Sequence, residues 1–520
     1  MIVPLDTRSV IYAGLSLPKN KLLGPKSSIS GFNLMDYGPI RMQILLSFIF
    51  LLVISAHARA DYFSDIGYDE LRAELGVALP VAVDVPVMIV EADKNSDPDV
   101  IAYAPDTTKA EFRGKKITVG EHGPTVYAPF SSHATSVGRR FFGLHSSVSP
   151  GINLIASYVT GEWYGAAFIR LGETRQPKVT LSRVAAHAWV GSLDVAVDTP
   201  ANIDALRRVD WLVETDEFFH VVGFNGSDKK PLLADAYNVL TVTHTGAKNF
   251  RNTLALDMDY VAGRSLPHLV VPDKSPSAST GRAASAAALL VGVGHAVPSL
   301  SQGATVNRRG DKIFNAERAE VIKAILLAGA DRITDNSSAE NITGYRAAGE
   351  NRMPNGLDRH YGAGQLNIYN SYQILTAGEQ DSTEDKASDD LISPNGFDYD
   401  ESFGGANDSN RHATYRFSTD SVGGILTLSL VWNIDIQGGL QLLFDPTANL
   451  YDLDMVLYDV SNKDPVIVAE SRSIRDNSEN IHVELAAKRN YMIRINRGVD
   501  QSLFDWDYGL AWRFVATDVR

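Results

Sequence analysis

The 520-residue chain contains no cysteine. A disulfide framework, a thiol nucleophile and thiolate metal sites are thereby excluded. Basic residues are in deficit, 48 lysines and arginines against 62 aspartates and glutamates, for a formal net charge of −14. Nucleic acid is a poor partner for such a chain, because phosphate contacts need a basic surface. His122, His145, His187, His220 and His244 show no metal-ligand spacing, and no H-E-x-x-H occurs. Metal catalysis is not expected, and no cofactor is needed for the chemistry read below. Long apolar runs are scarce as well: one lies near the N-terminus and no second follows it.

That run defines the start of the chain. Arg41 is a minimal positive flank, residues 44–55 are almost wholly apolar, and Ala58-Arg59-Ala60 has the A-x-A form of a cleavage site. The run is shorter than the roughly 20 residues of a membrane span. Residues 1–41 are read as an over-extended, disordered start and 42–60 as a signal peptide. The mature chain, from Asp61, is expected to be secreted or periplasmic, monomeric, and without stable membrane insertion.

With 44% hydrophobic and 21% charged residues, the remainder is globular and long enough for two domains. Residues 61–85 read as a short helical arm. From there to 378, strand-length apolar runs at 87–90, 154–158, 184–190, 219–223 and 239–242 alternate with helical stretches. Of these, 283–291 is alanine-rich and 316–327 carries charges on one face. Such alternation predicts an α/β domain, a parallel sheet with helices on both faces. Residues 379–390 are polar and acidic and read as a linker. Beyond them, short strands at 413–417, 425–432, 453–458, 466–469, 481–485, 491–495 and 508–514 predict an all-β antiparallel sandwich over 391–520.

Four polar side chains stand beside small residues at the edges of apolar elements. Glu91 ends the run Val87-Met88-Ile89-Val90. His133 follows Pro129-Phe130-Ser131-Ser132. Asn225 lies in Val221-Val222-Gly223-Phe224-Asn225-Gly226, and Ser277 heads the alanine-rich helix. A serine hydroxyl needs an adjacent imidazole to take its proton, and the imidazole needs a carboxylate to fix its tautomer. Asn225 and the Ser277 backbone N–H are candidate oxyanion donors. Asp93, two residues beyond Glu91, is the reserve acid. Taken singly, each is an ordinary turn, cap or strand-end residue.

In this order the stretches resemble the subtilisin-like serine peptidases. The family's H-G-T-H-V-A-G is matched by His133-Ala134-Thr135-Ser136-Val137-Gly138, and its A-A-G-N by Val222-Gly223-Phe224-Asn225. Its G-T-S-M-A segment aligns with Ser275-Pro276-Ser277-Ala278-Ser279. Its closing Y-G-x-G-x-x-N matches Tyr361-Gly362-Ala363-Gly364-Gln365-Leu366-Asn367. The resemblance covers roughly residues 85–376. It implies a Glu91–His133–Ser277 triad, protein or peptide substrates, and a substrate-pairing edge at Trp189, Val190 and Gly191, where Trp189 is equally readable as core packing. Three departures bear on geometry: Glu91 in place of aspartate, Pro276 before the nucleophile, and Gly281 in place of proline. Together they motivate the alternative of a catalytically impaired, peptidase-fold binding module.

The second domain resembles the C-terminal β-sandwich modules of secreted bacterial peptidases, through Asp452-Leu453-Asp454-Met455-Val456-Leu457-Tyr458-Asp459 and Asn490-Tyr491-Met492-Ile493-Arg494-Ile495. Asp452, Asp454 and Asp459 are readable either as ligands of a structural calcium ion or as acidic strand ends facing water.

Overall fold

The computed structural model describes residues 3–4, 62–92, 101–120, 130–334, 342, 349–386 and 390–517. The candidate signal peptide, Met42 and Asp93 lie outside the described residues, as does the start segment apart from Val3–Pro4. The described residues belong to one compact unit.

The first half is built on seven parallel strands: β1 (Val87–Glu91), β2 (Lys116–Val119), β3 (Leu154–Val159), β4 (Val184–His187), β5 (Phe219–Gly223), β6 (Leu240–His244) and β7 (Leu269–Val271). They lie in the order β2-β3-β1-β4-β5-β6-β7. Val87 and Ile89 enter one core and Met88 and Val90 the other. With both faces covered, central strands read as unbroken apolar runs, which is why they were visible in the sequence. The β2 strand is a half-exposed edge and has no such run.

Four longer helices, α1 (Ser132–Phe142), α3 (Pro276–Ala296), α4 (Ala319–Gly329) and α5 (Ile368–Thr376), contribute to the first core; α2 (Pro200–Asp216) packs in the second. The arm at residues 62–78 is integral to the first core, where Ile66 and Leu71 are fully buried.

The second half is a sandwich of eight strands: β8 (Asn395–Phe403), β9 (His412–Ser418), β10 (Gly424–Val431), β11 (Leu453–Asp459), β12 (Val466–Ser471), β13 (Ser478–Leu485), β14 (Asn490–Arg497) and β15 (Trp506–Ala516). One sheet runs β8-β15-β10-β13 and the other β9-β14-β11-β12, with every pairing antiparallel. Tyr415, Trp432, Met455, Tyr508 and Trp512 fill the space between them.

The two halves share a core. Phe397, Val431 and Ala511 of the sandwich join the cluster that holds α3 and α4. At Gly509 a Cβ would stand 2.9 Å from the Val321 backbone nitrogen, so β15 meets the α4 backbone directly. The charged face read into 316–327 is buried here rather than solvated. Arg318 pairs with Glu217 at 3.1 Å, Glu320 at 2.8 Å and Asp507 at 3.0 Å. Lys323 Nζ donates to the Tyr237 carbonyl at 2.9 Å, and burial pushes its pKa down to about 7. The acidic stretch after Gly378 is docked as well. Glu379 bridges to Phe397, and its carboxylate accepts from Gln302 N and from Asn315 Nδ2.

Candidate active site

Glu91 is the last residue of β1, and period-2 alternation puts it on the face of Val87 and Ile89, toward α1 and α3. His133 is the second residue of α1 and Ser277 the second of α3. Both helices are capped alike. Ser131 Oγ accepts from Ala134 N at 3.2 Å and Ser275 Oγ from Ala278 N at 3.3 Å. In each helix the cap satisfies the N–H just after the functional residue. The Ser277 N–H is among the first of α3, which have no intrahelical acceptor, at the positive end of the helix.

The three side chains meet. His133 Nδ1 lies 2.6 Å from Glu91 Oε2, and His133 Nε2 lies 2.9 Å from Ser277 Oγ. All three are buried. An ionised carboxylate only accepts, so Glu91 fixes the proton on Nδ1 and leaves Nε2 to accept from the serine hydroxyl. Glu91 Oε1 is buried without a hydrogen-bond partner, so the pairing with His133 runs through one oxygen. Ser277 Oγ also stands 3.4 Å from the Ala188 carbonyl, a neighbour not singled out in the sequence.

The departures from the family pattern are accommodated. Pro276 occupies the first helical position, where its missing N–H has no intrahelical partner to lose, and Ser275 is extended as a residue before proline prefers. Gly281 does not loosen α3, which is continuous from Pro276 to Ala296. A Cβ at Gly281 would stand 2.7 Å from the Val137 carbonyl oxygen and 3.2 Å from Arg140 Cβ, so glycine lets α3 pack on α1. Arg282 joins Arg140 on Asp273. Burial alone would raise the Asp273 carboxyl, but these two guanidiniums hold it below the usual carboxylate range.

Asn225 follows β5. Its Oδ1 accepts from Ser227 N at 3.0 Å, which turns the amide so that Nδ2 is the end left to donate. Of the expected substrate edge, Trp189–Val190 is a short strand that accepts Val3–Pro4 as an antiparallel neighbour. Gly191 is committed elsewhere, exchanging both backbone hydrogen bonds with Leu232 at 3.2 and 3.0 Å. The Trp189 indole is core packing, fully buried edge-on to Tyr164 and His187.

Sequence reading did not single out the pair beneath this edge. His187 Nε2 and His220 Nδ1 lie 2.9 Å apart with rings stacked at 4.9 Å. Burial pushes both pKa values down, that of His220 to about 3. Asp452, Asp454 and Asp459 are not brought together. Asp454 and Asp459 sit near opposite ends of β11, roughly 16 Å apart at the usual strand rise. Arg472 lies 3.5 Å from the first and Arg489 3.8 Å from the second.

No family model matches the sequence, and no curated protein matches it. Solved structures do. The protease domain of PatA aligns at 14% identity over 57% of this chain and 98% of its own, with a TM-score of 0.32. A cold adapted subtilisin-like serine proteinase aligns at 15% identity over 51% and 89%, with a TM-score of 0.29. The pre-peptidase C-terminal domain of collagenase from Bacillus anthracis aligns at 15% identity over 24% and 93%, with a TM-score of 0.17. What bears on chemistry is the chain's own geometry at Glu91, His133 and Ser277.

Proposed function

We propose that the protein is an exported serine endopeptidase acting through an acyl-enzyme. The observation that carries this reading is the unbroken relay Glu91–His133–Ser277, at 2.6 and 2.9 Å. Ser277 Oγ attacks the scissile carbonyl as its proton passes to His133 Nε2, and Glu91 stabilises the imidazolium. The oxyanion takes hydrogen bonds from the Ser277 N–H and Asn225 Nδ2. Collapse breaks the C–N bond, His133 returns the proton to the departing amine, and water repeats the sequence on the ester. Substrate pairs in extended form with Trp189–Val190, an edge that here accepts Val3–Pro4. Export rests on the 42–60 segment. Among the described residues, no helix is long and apolar enough to cross a membrane.

The test is labelling by a fluorophosphonate, followed by hydrolysis of casein. The wild type reacts and Ser277→Ala does not. Equal labelling of the two proteins overturns the assignment. A wild type inert to both probe and casein leaves the binding-module reading in its place.

A further inference from the structure

Gly281 sets how near α1 and α3 can come, but a glycine does not draw two helices together. A charge cluster at the root of the serine helix does. Asp273 lies in the turn between β7 and α3, four residues before Ser277, and its side chain is 5% exposed. Arg140, on α1, donates from Nε to Asp273 Oδ2 at 3.1 Å, and Arg282, on α3, donates from Nε to the same oxygen. Asp273 Oδ1 accepts from Lys274 N at 2.6 Å, which fixes the carboxylate to the turn that presents Ser277. One carboxylate thus holds both helices of the relay and the turn between β7 and α3.

Each arginine is itself anchored. Arg140 Nη1 donates to the Ser136 carbonyl at 3.1 Å and to Ser136 Oγ at 2.8 Å, three residues beyond His133. Tyr62 of the N-terminal arm covers Arg282, whose Cζ stands 3.3 Å from the ring centroid. The ring takes water from one face of the guanidinium, and an ion pair with less water around it is stronger. Hydrogen bonds between two charged groups are also roughly twice as strong as neutral ones.

We propose that Asp273 is a positioning residue of the relay: by drawing Arg140 and Arg282 together it holds Ser277 Oγ at reacting distance from His133 Nε2. The proposal rests on the serine peptidase reading of the site. Within the relay, the two helices meet through one hydrogen bond of 2.9 Å, from the second residue of α3 to the second of α1. A bond of that kind is lost on a small separation, and a misplacement of about 1 Å costs on the order of 10²-fold in rate. Without the carboxylate, two guanidiniums face each other and attraction becomes repulsion.

The test compares the wild-type chain with Asp273→Asn, Asp273→Glu and Arg282→Gln, each first shown to be folded by circular dichroism. In Asp273→Asn, kcat on casein falls by about 10²-fold. KM stays within about twofold, because the Trp189–Val190 edge is untouched. Asp273→Glu keeps the charge and recovers activity to within about tenfold of wild type. A second readout is the nitrogen chemical shift of His133 Nε2 in histidine-labelled protein, assigned by its loss in His133→Gln. Ser277→Ala supplies the shift of an Nε2 that accepts nothing from the serine. In Asp273→Asn the shift moves to that value, and in Asp273→Glu it stays near wild type. A residue that only stabilised the fold would move neither kcat nor this shift in folded protein. Arg282→Gln leaves Asp273 paired with Arg140 and changes both readouts in the same direction, should Asp273→Asn not fold. A wild-type kcat or an unmoved Nε2 shift in either folded variant overturns the proposal. A wild type inert to fluorophosphonate and casein would defeat the peptidase reading instead, and the nitrogen shift alone would then decide whether Asp273 sets the contact.

Discussion

Gly281 lies against Val137 so closely that a single added methyl would meet the Val137 carbonyl oxygen at 2.7 Å. The contact joins the helix that begins at Ser277 to the helix that begins at His133. Gly281→Ala is favourable for helix propensity by roughly 1 kcal/mol, but the obstacle is backbone and cannot rotate away. The helices must separate, at a cost of about 1–3 kcal/mol. Fluorophosphonate labelling should slow by on the order of 10²-fold, as for a misplacement of about 1 Å, while circular dichroism stays native. Unchanged labelling would show that the helix spacing does not set the relay.

Glu91→Gln should abolish most turnover without unfolding the chain. An amide presents both donor and acceptor, does not hold Nδ1–H reliably, and cannot stabilise the imidazolium. A loss on the order of 10³–10⁴-fold in kcat is expected. Asp93→Asn should be close to silent; if the two results were exchanged, the acid would be Asp93.

Asn225 separates its two amide roles cleanly. Asn225→Asp keeps the acceptor for Ser227 N but replaces the donor with a repelling oxygen. Asn225→Ala loses both. Both variants should lower kcat by roughly 10²–10³-fold with KM little changed, the aspartate being the worse. Retention of full activity by the alanine variant would remove Asn225 from the oxyanion site.

The stacked His187 and His220 make folding acid-sensitive. Their pKa values in the folded protein lie below the 6.5 of the unfolded chain, that of His220 at about 3. Below pH 6.5 the unfolded chain binds protons that the folded one refuses, so stability is full above pH 6.5 and falls as pH drops toward 3. Urea denaturation of the His187→Phe/His220→Phe double variant should show a flatter stability profile between pH 6.5 and 5. A wild-type slope in the double variant would assign the sensitivity elsewhere.

Residues 62–376 expressed alone should be insoluble or largely unfolded. Truncation strips β8, β10 and β15 from α4, exposing Val321 and leaving Arg318 without Asp507. Adding residues 391–520 in trans should restore some solubility through the shared core. A soluble, probe-reactive fragment would instead show that the sandwich is dispensable.

The relay was legible because each member lies within a short stretch whose local chemistry is strong: a strand ending in an acid, and two serine-capped helices rich in small residues. The central strands were legible for the same local reason, being apolar on both faces. What escaped depends on partners distant in sequence. The charged face of α4 carries the periodicity of a solvated helix, and partners distant in sequence bury it, Glu217 and Tyr237 on one side and the sandwich strands β10 and β15 on the other. The β8 strand alternates acids with aromatics and was not among the strands expected within 391–520, although Asp398 and Asp400 are buried. The commitment of Gly191 to Leu232 depends on a loop contact that no pattern in either segment announces.

The place of β15 in its sheet also governs timing. β15, which follows every other described strand in the chain, lies between β8 and β10 and touches the backbone of α4. A nascent chain that has not reached residue 506 lacks the middle of one sandwich sheet and the cover over a helix of the peptidase core. Completion of the first core, on which α1 and α3 rest, is thereby coupled to synthesis of residues 506–516.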